Sequence, residues 1–226
     1  MPIQGSTIAG AVFGVVLLAG VVGFGVGLPE LVGDSAESAS SADLPELPDA
    51  LDDRMVAVSA VTPEQVGVTT PQDEAGLDQV TEAAAENETE AGAALAEQYG
   101  AATVRAYIDI AGMTGGDGQT APAHVAVTVV PGEMGLVIPN GPFAIDQSGS
   151  HYELREIDGH RCAVAWREEV DQMTGEPTGA EVPASAYQAE CRAERDGVAY
   201  DVFSTGLEPE KLAGYLDRVL ELTAED

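Results

Sequence analysis

Three histidines are the side chains in this 226-residue chain best suited to acid–base chemistry. They are His124, His151 and His160, and an imidazole held beside a carboxylate is a common general base in hydrolases. No nucleophile-elbow motif frames any of them in the sequence. We therefore interpret them as histidines at strand edges and assign no catalytic residue. The alternative hypothesis is a hydrolase that uses His151 or His160 with a nearby carboxylate.

Cys162 and Cys191 are the two cysteines, and both fall on the inward side of segments with strand-like alternation. A register that sets them opposite each other also pairs Val164 with Ala189, which keeps that face apolar. We predict a disulfide that closes a loop of about 30 residues and stabilises the fold by about 3 kcal/mol. The alternative is two buried thiols in a cytoplasmic domain. Because no CxxC motif is present, redox catalysis and a zinc site are not indicated.

Two further segments could be taken for metal sites. Residues 114–118 (TGGDG) resemble a single calcium-binding glycine turn, and residues 168–181 form an acidic loop. The first lacks the repeats of such turns, and the second lacks the ligand spacing and glycine of a calcium loop. The sequence also has no phosphate loop, dinucleotide fingerprint or HExxH motif. We therefore predict neither a metal nor a cofactor.

The rest of the chain after residue 54 predicts a mixture of strands and helices. Predicted strands cover residues 55–61, 103–111, 124–130, 136–138, 151–157, 160–168, 186–195 and 198–204. An Ala- and Glu-rich segment predicts a helix over 73–99, and an apolar stripe that includes Leu212, Leu216 and Val219 predicts another over 209–222. This order favours an α+β domain, in which an antiparallel meander sheet carries helices packed on one face.

Asp-Gly pairs at 158–159 and 196–197 predict hairpin turns between neighbouring strands. At 196–197 a two-residue turn keeps the apolar residues of both strands together. At 158–159 the same turn would set Arg155 opposite Cys162. We therefore predict a three-residue loop there, which pairs Leu154 with Cys162 and keeps the apolar residues on one face.

The N-terminal segment is apolar enough to be a membrane anchor. Residues 8–28 contain no polar side chain, and at ~1.5 Å per residue a helix of this length spans the ~30 Å hydrocarbon layer. The preceding residues carry no lysine or arginine, and the apolar run exceeds that of a signal peptide, so we predict a retained transmembrane helix within residues 1–28.

Two GxxxG pairs in this segment could pack membrane helices against each other. Gly10 and Gly14 form one pair, and Gly23 and Gly27 form the other. They allow a homodimer through the membrane helix, although the two pairs lie on different sides of that helix. The alternative is that they reflect the abundance of glycine, which occurs 26 times in the chain.

Residues 29–53 are rich in Ser, Ala, Asp, Glu and Pro, which predicts a flexible acidic linker before a domain at 54–226. The chain has 39 acidic and 9 basic residues, and its net charge of −30 repels nucleic-acid phosphates. Because most of the chain and both cysteines follow the apolar segment, we place the N-terminus in the cytoplasm and the domain outside.

These expectations combine into one interpretation of function. The excess of arginine over lysine, with abundant Ala, Gly and Val, suggests a GC-rich bacterial genome. We interpret the chain as a single-pass protein of the bacterial cell membrane. Its acidic extracytoplasmic domain would act as a binding, interaction or sensor module with a protein partner in the envelope. A cell-envelope hydrolase is the alternative.

Overall fold

The computed structural model describes residues 44–115, 122–135, 144–147 and 149–224. In this part of the chain, eight strands form one antiparallel sheet in the order β1-β2-β3-β8-β7-β6-β5-β4. The strands are β1 (Met55–Ala57), β2 (Thr103–Asp109), β3 (His124–Pro131), β4 (Ile145–Gln147), β5 (Ser150–Ile157), β6 (His160–Arg167), β7 (Tyr187–Arg195) and β8 (Val198–Thr205). The helices are α1 (Pro71–Tyr99), α2 (Ile110–Gly115) and α3 (Pro209–Leu222). The α+β class and the antiparallel sheet are confirmed.

The sheet consists of two meanders that meet at its centre. Strands β1 to β3 form the first, and strands β4 to β8 form the second in reverse spatial order. They join where β3 pairs with β8, with Val127 opposite Val202. Both valines are fully buried, so the join lies in the core.

The hairpin between β5 and β6 differs from the prediction. It has a two-residue turn in which Asp158 and Gly159 have φ of 52° and 85°, and Arg155 pairs with Cys162. The predicted three-residue loop is wrong because the apolar side chains of β5 do not share one face. Tyr152 and Ile157 point to opposite faces, and both are buried. The preference of Asp-Gly for a turn with positive φ at both positions therefore sets the register.

Helix α3 covers one side of the sheet, which we call the α3 face. Its stripe of Leu212, Leu216 and Val219 is completely buried against residues of the central strands. The strand residues in this cluster include Tyr107, Val125, Val127, Val164, Cys191 and Val202. Pro209 occupies the first turn, where its missing N–H costs nothing. The helix predicted at 209–222 is confirmed.

Helix α1 packs on the other side of the sheet, which we call the α1 face. Leu77 of α1 lies in a second cluster with Val56 and Ile108, whose side chains point away from the α3 face. Thr70 caps the start of the helix by accepting a hydrogen bond from the Asp73 N–H. The prediction that the helices pack on one face is wrong, because β1 and β2 are apolar on both sides and need a cover on each.

Residues 44–54, which we call the strap, belong to the folded domain. Leu47 and Leu51 are 4% and 0% exposed within the core of the α3 face. The Tyr107 hydroxyl donates a 2.9 Å hydrogen bond to the Pro48 carbonyl, and the Ala57 N–H donates to the Asp49 carbonyl at 2.8 Å. The predicted start of the domain at residue 54 is therefore too late. Residues 29–43 of the predicted linker lie outside the described residues.

The predicted membrane helix within residues 1–28, with Gly10, Gly14, Gly23 and Gly27, also lies outside the described residues. In the part that the structure does describe, none of the helices combines the length and apolar character needed to cross a membrane.

Candidate functional site

The structure places the three histidines at separate positions. His124 is on the α1 face of β3, where Thr205 Oγ1 lies within 3.1 Å of its ring nitrogens. Burial lowers the pKa of His124. His151 and His160 are both on the α3 face, but His151 pairs with Trp166 at one end of β6 and His160 begins the other end. At ~3.4 Å per residue, six residues separate these positions by about 20 Å.

His151 is fixed between two carboxylates and an indole. Its Nδ1 lies 3.0 Å from Asp146 Oδ1, and its Nε2 lies 3.5 Å from Glu168 Oε2. The imidazole stacks on Trp166 at 4.9 Å between ring centroids, and Trp166 contacts Tyr187 at 6.3 Å. This row of rings crosses three strands, and the His151 side chain is only 12% exposed, so the imidazole is packed against the sheet.

The residues near His151 in sequence do not converge on it. Ser150 precedes it on β5 and therefore points to the opposite face. Asp158 lies in the turn at the far end of the strand. Ser148 lies outside the described residues. Asp146 and Glu168 could therefore orient the His151 imidazole. Ser150 is not placed to act as a nucleophile beside it.

Cys162 and Cys191 form the predicted disulfide. They are directly opposite on β6 and β7 with a Cα–Cα distance of 4.1 Å, and both are buried. The register that pairs Val164 with Ala189 is also confirmed. The bond joins two neighbouring central strands. It therefore holds together the part of the sheet against which α3 packs.

Three arginines lie near the ends of β6 and β7, with Arg161 and Arg192 on the α1 face and Arg195 on the α3 face. Arg161, Arg192 and Arg195 line a recess of about 380 Å³, which we call the arginine recess. Its other lining residues are Met134, Gly159, His160, Ala193, Glu194, Ala199 and Leu220. Arg161 is directly opposite Arg192 on the α1 face. We did not predict this recess from the sequence. The register that pairs Cys162 with Cys191 also pairs their neighbours, Arg161 and Arg192.

Arg192 is the most buried of the three, with a side chain that is 9% exposed. Its Nε donates a 2.7 Å hydrogen bond to Asp201 Oδ1, and its Nη2 forms an ion pair with Glu190. Its Nη1 is buried and has no hydrogen-bond partner in the described structure. A buried N–H without an acceptor is unfavourable by ~1–3 kcal/mol, so this atom marks a place where an acceptor would stabilise the fold.

His160 connects the recess to α3. Its Nε2 lies 2.8 Å from Asp217 Oδ1. Arg195 Nη1 donates to the Leu220 carbonyl at 2.5 Å, close to the end of the same helix. These two contacts attach the ends of β6 and β7 to α3.

The segments that resemble metal sites are explained by other contacts or remain undescribed. Asp171 accepts hydrogen bonds from the N–H groups of Thr174 and Met173, and these bonds lower the pKa of its carboxyl. The acidic loop is thus closed by its own turn. Most of the glycine turn at 114–118 lies outside the described residues. Among the residues that are described, no group of three or more His, Cys, Asp or Glu could hold a metal ion.

Comparison with known proteins does not assign a family. A scan against protein-family models, a search of curated proteins and a search of solved structures found no significant match to this chain.

Proposed function

We propose that this protein is a single-pass, membrane-anchored binding module of the bacterial cell envelope, with its domain outside the cytoplasm. The observation that carries this proposal is the buried disulfide between Cys162 and Cys191. Disulfides persist in oxidising compartments and are rare in the cytosol. The apolar run at residues 8–28 supplies the expected anchor.

The geometry of the domain favours binding over catalysis. The three histidines are dispersed, and the described part of the domain has a concave recess near the ends of β6 and β7. A preformed concavity with a few polar groups is the usual form of a ligand site. A binding module needs only this, while a hydrolase that forms a covalent intermediate needs a nucleophile in contact with a base.

The location is tested by the redox state of the cysteines in native membranes. Membranes are quenched in acid and denatured with an alkylating reagent, with or without prior reduction, and the intact mass is measured. Denaturation is required because both sulfur atoms are buried. We expect two alkyl groups after reduction and none before it. Two alkyl groups without reduction would place the domain in the cytoplasm and overturn the proposal.

A cell-envelope hydrolase is the second candidate, supported by the two carboxylates beside His151. It predicts that the full chain hydrolyses a chromogenic ester or amide and that His151→Gln loses this activity. His124→Gln is the matched control on another strand. The binding module predicts no turnover by either variant or by the native protein.

A further inference from the structure

We propose that His151 is a pH-sensitive switch, which attaches the acidic loop, residues 168–181, to the end of the sheet when its imidazole is protonated. This inference goes beyond the proposed binding function. It concerns contacts within the domain alone, so it does not depend on a ligand or on which side of the membrane the domain occupies.

The imidazole of His151 has one carboxylate at each ring nitrogen. Nδ1 lies 3.0 Å from Oδ1 of Asp146 on β4, and Nε2 lies 3.5 Å from Oε2 of Glu168, the first residue of the acidic loop. The His151 side chain is 12% exposed and stacks on Trp166. The ring is therefore packed between an edge strand and the base of a loop, and it can connect the two.

The Nε2 atom of His151 is the part of this arrangement that needs a proton. It is buried and makes no hydrogen bond in the described part of the chain. A neutral imidazole carries a single N–H, and the shorter contact assigns that N–H to Nδ1, which faces Asp146. The lone pair of Nε2 then faces the negative charge of Glu168. A proton on Nε2 replaces this repulsion with a charge-assisted attraction.

The other charged groups around the ring leave this effect in place. On the same strand, Arg155 lies with its guanidinium 6.0 Å from the centre of the Trp166 ring, and its charge opposes protonation. However, its Nε lies 3.2 Å from Glu153 Oε1 and its Nη1 lies 3.9 Å from Glu210 Oε1 on α3, so two carboxylates offset it. Tyr187 of β7 lies beyond Trp166 and is a phenol, which carries no charge near neutral pH.

The contact with Glu168 lies where the acidic loop joins the sheet. The Glu168 N–H donates a 3.2 Å hydrogen bond to the Gly149 carbonyl, and the Val170 side chain lies against Gly149. Further along, the loop is closed on itself, since the Thr178 N–H donates to the Glu169 carbonyl at 2.9 Å. Loss of the imidazole contact therefore weakens the attachment of the loop to the sheet and leaves the inner turn of the loop intact.

The direction of the switch follows from the charge of the imidazole. Histidine ordinarily changes its charge between about pH 5 and pH 8. At the acidic end of this range the imidazolium donates to both carboxylates, and the loop is attached. At the alkaline end Nε2 has no proton to donate, and the contact with Glu168 is lost.

Hydrogen exchange tests the switch in the full chain. The protein is reconstituted in nanodiscs of zwitterionic lipid, and amide exchange is followed by mass spectrometry from about pH 5.5 to about pH 8, with rates corrected for the chemical effect of pH. We expect the protection of the Glu168 N–H and its neighbours to fall about tenfold over this range, as for the loss of one charge-assisted hydrogen bond. Fragments from β7 and β8 should change less. A uniform change, or none at the base of the loop, would overturn the inference.

Two glutamine variants separate the switch from a general effect of charge. Glu168→Gln and Glu169→Gln each remove one negative charge, from adjacent residues. The amide of a glutamine at position 168 can donate to unprotonated Nε2, so the contact no longer needs a proton and the pH dependence should disappear. Glu169 is exposed and lies outside the contact, so Glu169→Gln should retain it. Equal pH dependence in the two variants would contradict the switch.

Removing the imidazole gives a second comparison. In His151→Gln the base of the loop should exchange at the same corrected rate at every pH. His160→Gln is the matched control, because it removes another histidine that lies beside a carboxylate, that of Asp217, and it should keep the pH dependence. Its loss in both histidine variants would refute the assignment to His151.

These measurements are independent of the tests of function. If His151→Gln does not fold, as judged by circular dichroism, the comparison of Glu168→Gln with Glu169→Gln still decides. The exchange experiment needs no substrate and does not depend on the redox state of the cysteines in native membranes. Failure of the switch therefore leaves the proposed location intact, and the reverse also holds.

Discussion

The hydroxyl of Tyr215 donates a 2.9 Å hydrogen bond to Oδ2 of Asp52, which joins the middle of α3 to the strap. The other carboxylate oxygen accepts the N–H groups of Arg54 and Met55 at 2.8 and 2.6 Å. Burial raises the pKa of Asp52, but these hydrogen bonds and the positive charge of Lys211 lower it, and the net shift is downward. One carboxylate therefore holds together the strap, the start of β1 and the helix.

Removing the Tyr215 hydroxyl tests this junction. We expect Tyr215→Phe to lower the free energy of unfolding by about 1.5 kcal/mol, because a hydrogen bond to a charged, partly buried acceptor is lost. Tyr99→Phe at the end of α1 is the control and should change it by less than ~0.5 kcal/mol. Chemical denaturation checks both, and equal effects would show that the junction contributes nothing.

The packing of the strap predicts a large effect of truncating Leu51, which is completely buried. We expect Leu51→Ala to lower the free energy of unfolding by about 3 kcal/mol through lost burial and a residual cavity. Leu154→Ala, at a side chain that is 40% exposed, should cost less than ~1 kcal/mol. If the two variants unfold at the same denaturant concentration, the strap is not part of the core.

Two glycine-to-alanine changes should have opposite signs. Gly76 lies in α1 with open space around an added Cβ, so alanine should raise the free energy of unfolding by about 1 kcal/mol. Gly159 has a φ of +85°, so alanine there should lower it by ~1–2 kcal/mol. Thermal unfolding of both variants checks this. Stabilisation by Gly159→Ala would contradict the turn conformation.

His124 predicts a pH dependence of stability. Burial lowers its pKa below the ordinary value of 6.5, so the unfolded chain binds a proton before the folded one does. The contribution of His124 is therefore constant above about pH 7 and declines as the pH falls from 6.5 through the folded pKa. The free energy of unfolding of the native protein minus that of His124→Gln should decrease over this range. An increase on acidification would refute the assignment.

The sequence predicted those parts of the fold in which one face alone is apolar. The stripe of α3 and the pairing of Cys162 with Cys191 both follow from such a face, and both are confirmed. The side of the sheet on which α1 packs could not be found in this way, because Val56 and Ile108 are buried on the face opposite to their neighbours.

The strap and the arginine recess show two other limits of sequence patterns. Leu47 and Leu51 stand among prolines and acidic residues, a composition typical of linkers, and only tertiary contacts order them. The residues of the recess are separated by about 30 positions and meet through strand register alone. A one-residue error in that register would have placed Arg161 and Arg192 on different faces.

The position of β8 at the centre of the sheet has a consequence for how the chain is made. Strand β3 pairs with β8, although more than 60 residues separate Pro131 from Val198 along the chain. Until β8 is synthesised, the valine-rich strand β3 is an open edge, which is the kind of surface that templates aggregation. The sheet can therefore close only after β8 has been made, and until then this edge of β3 stays unpaired.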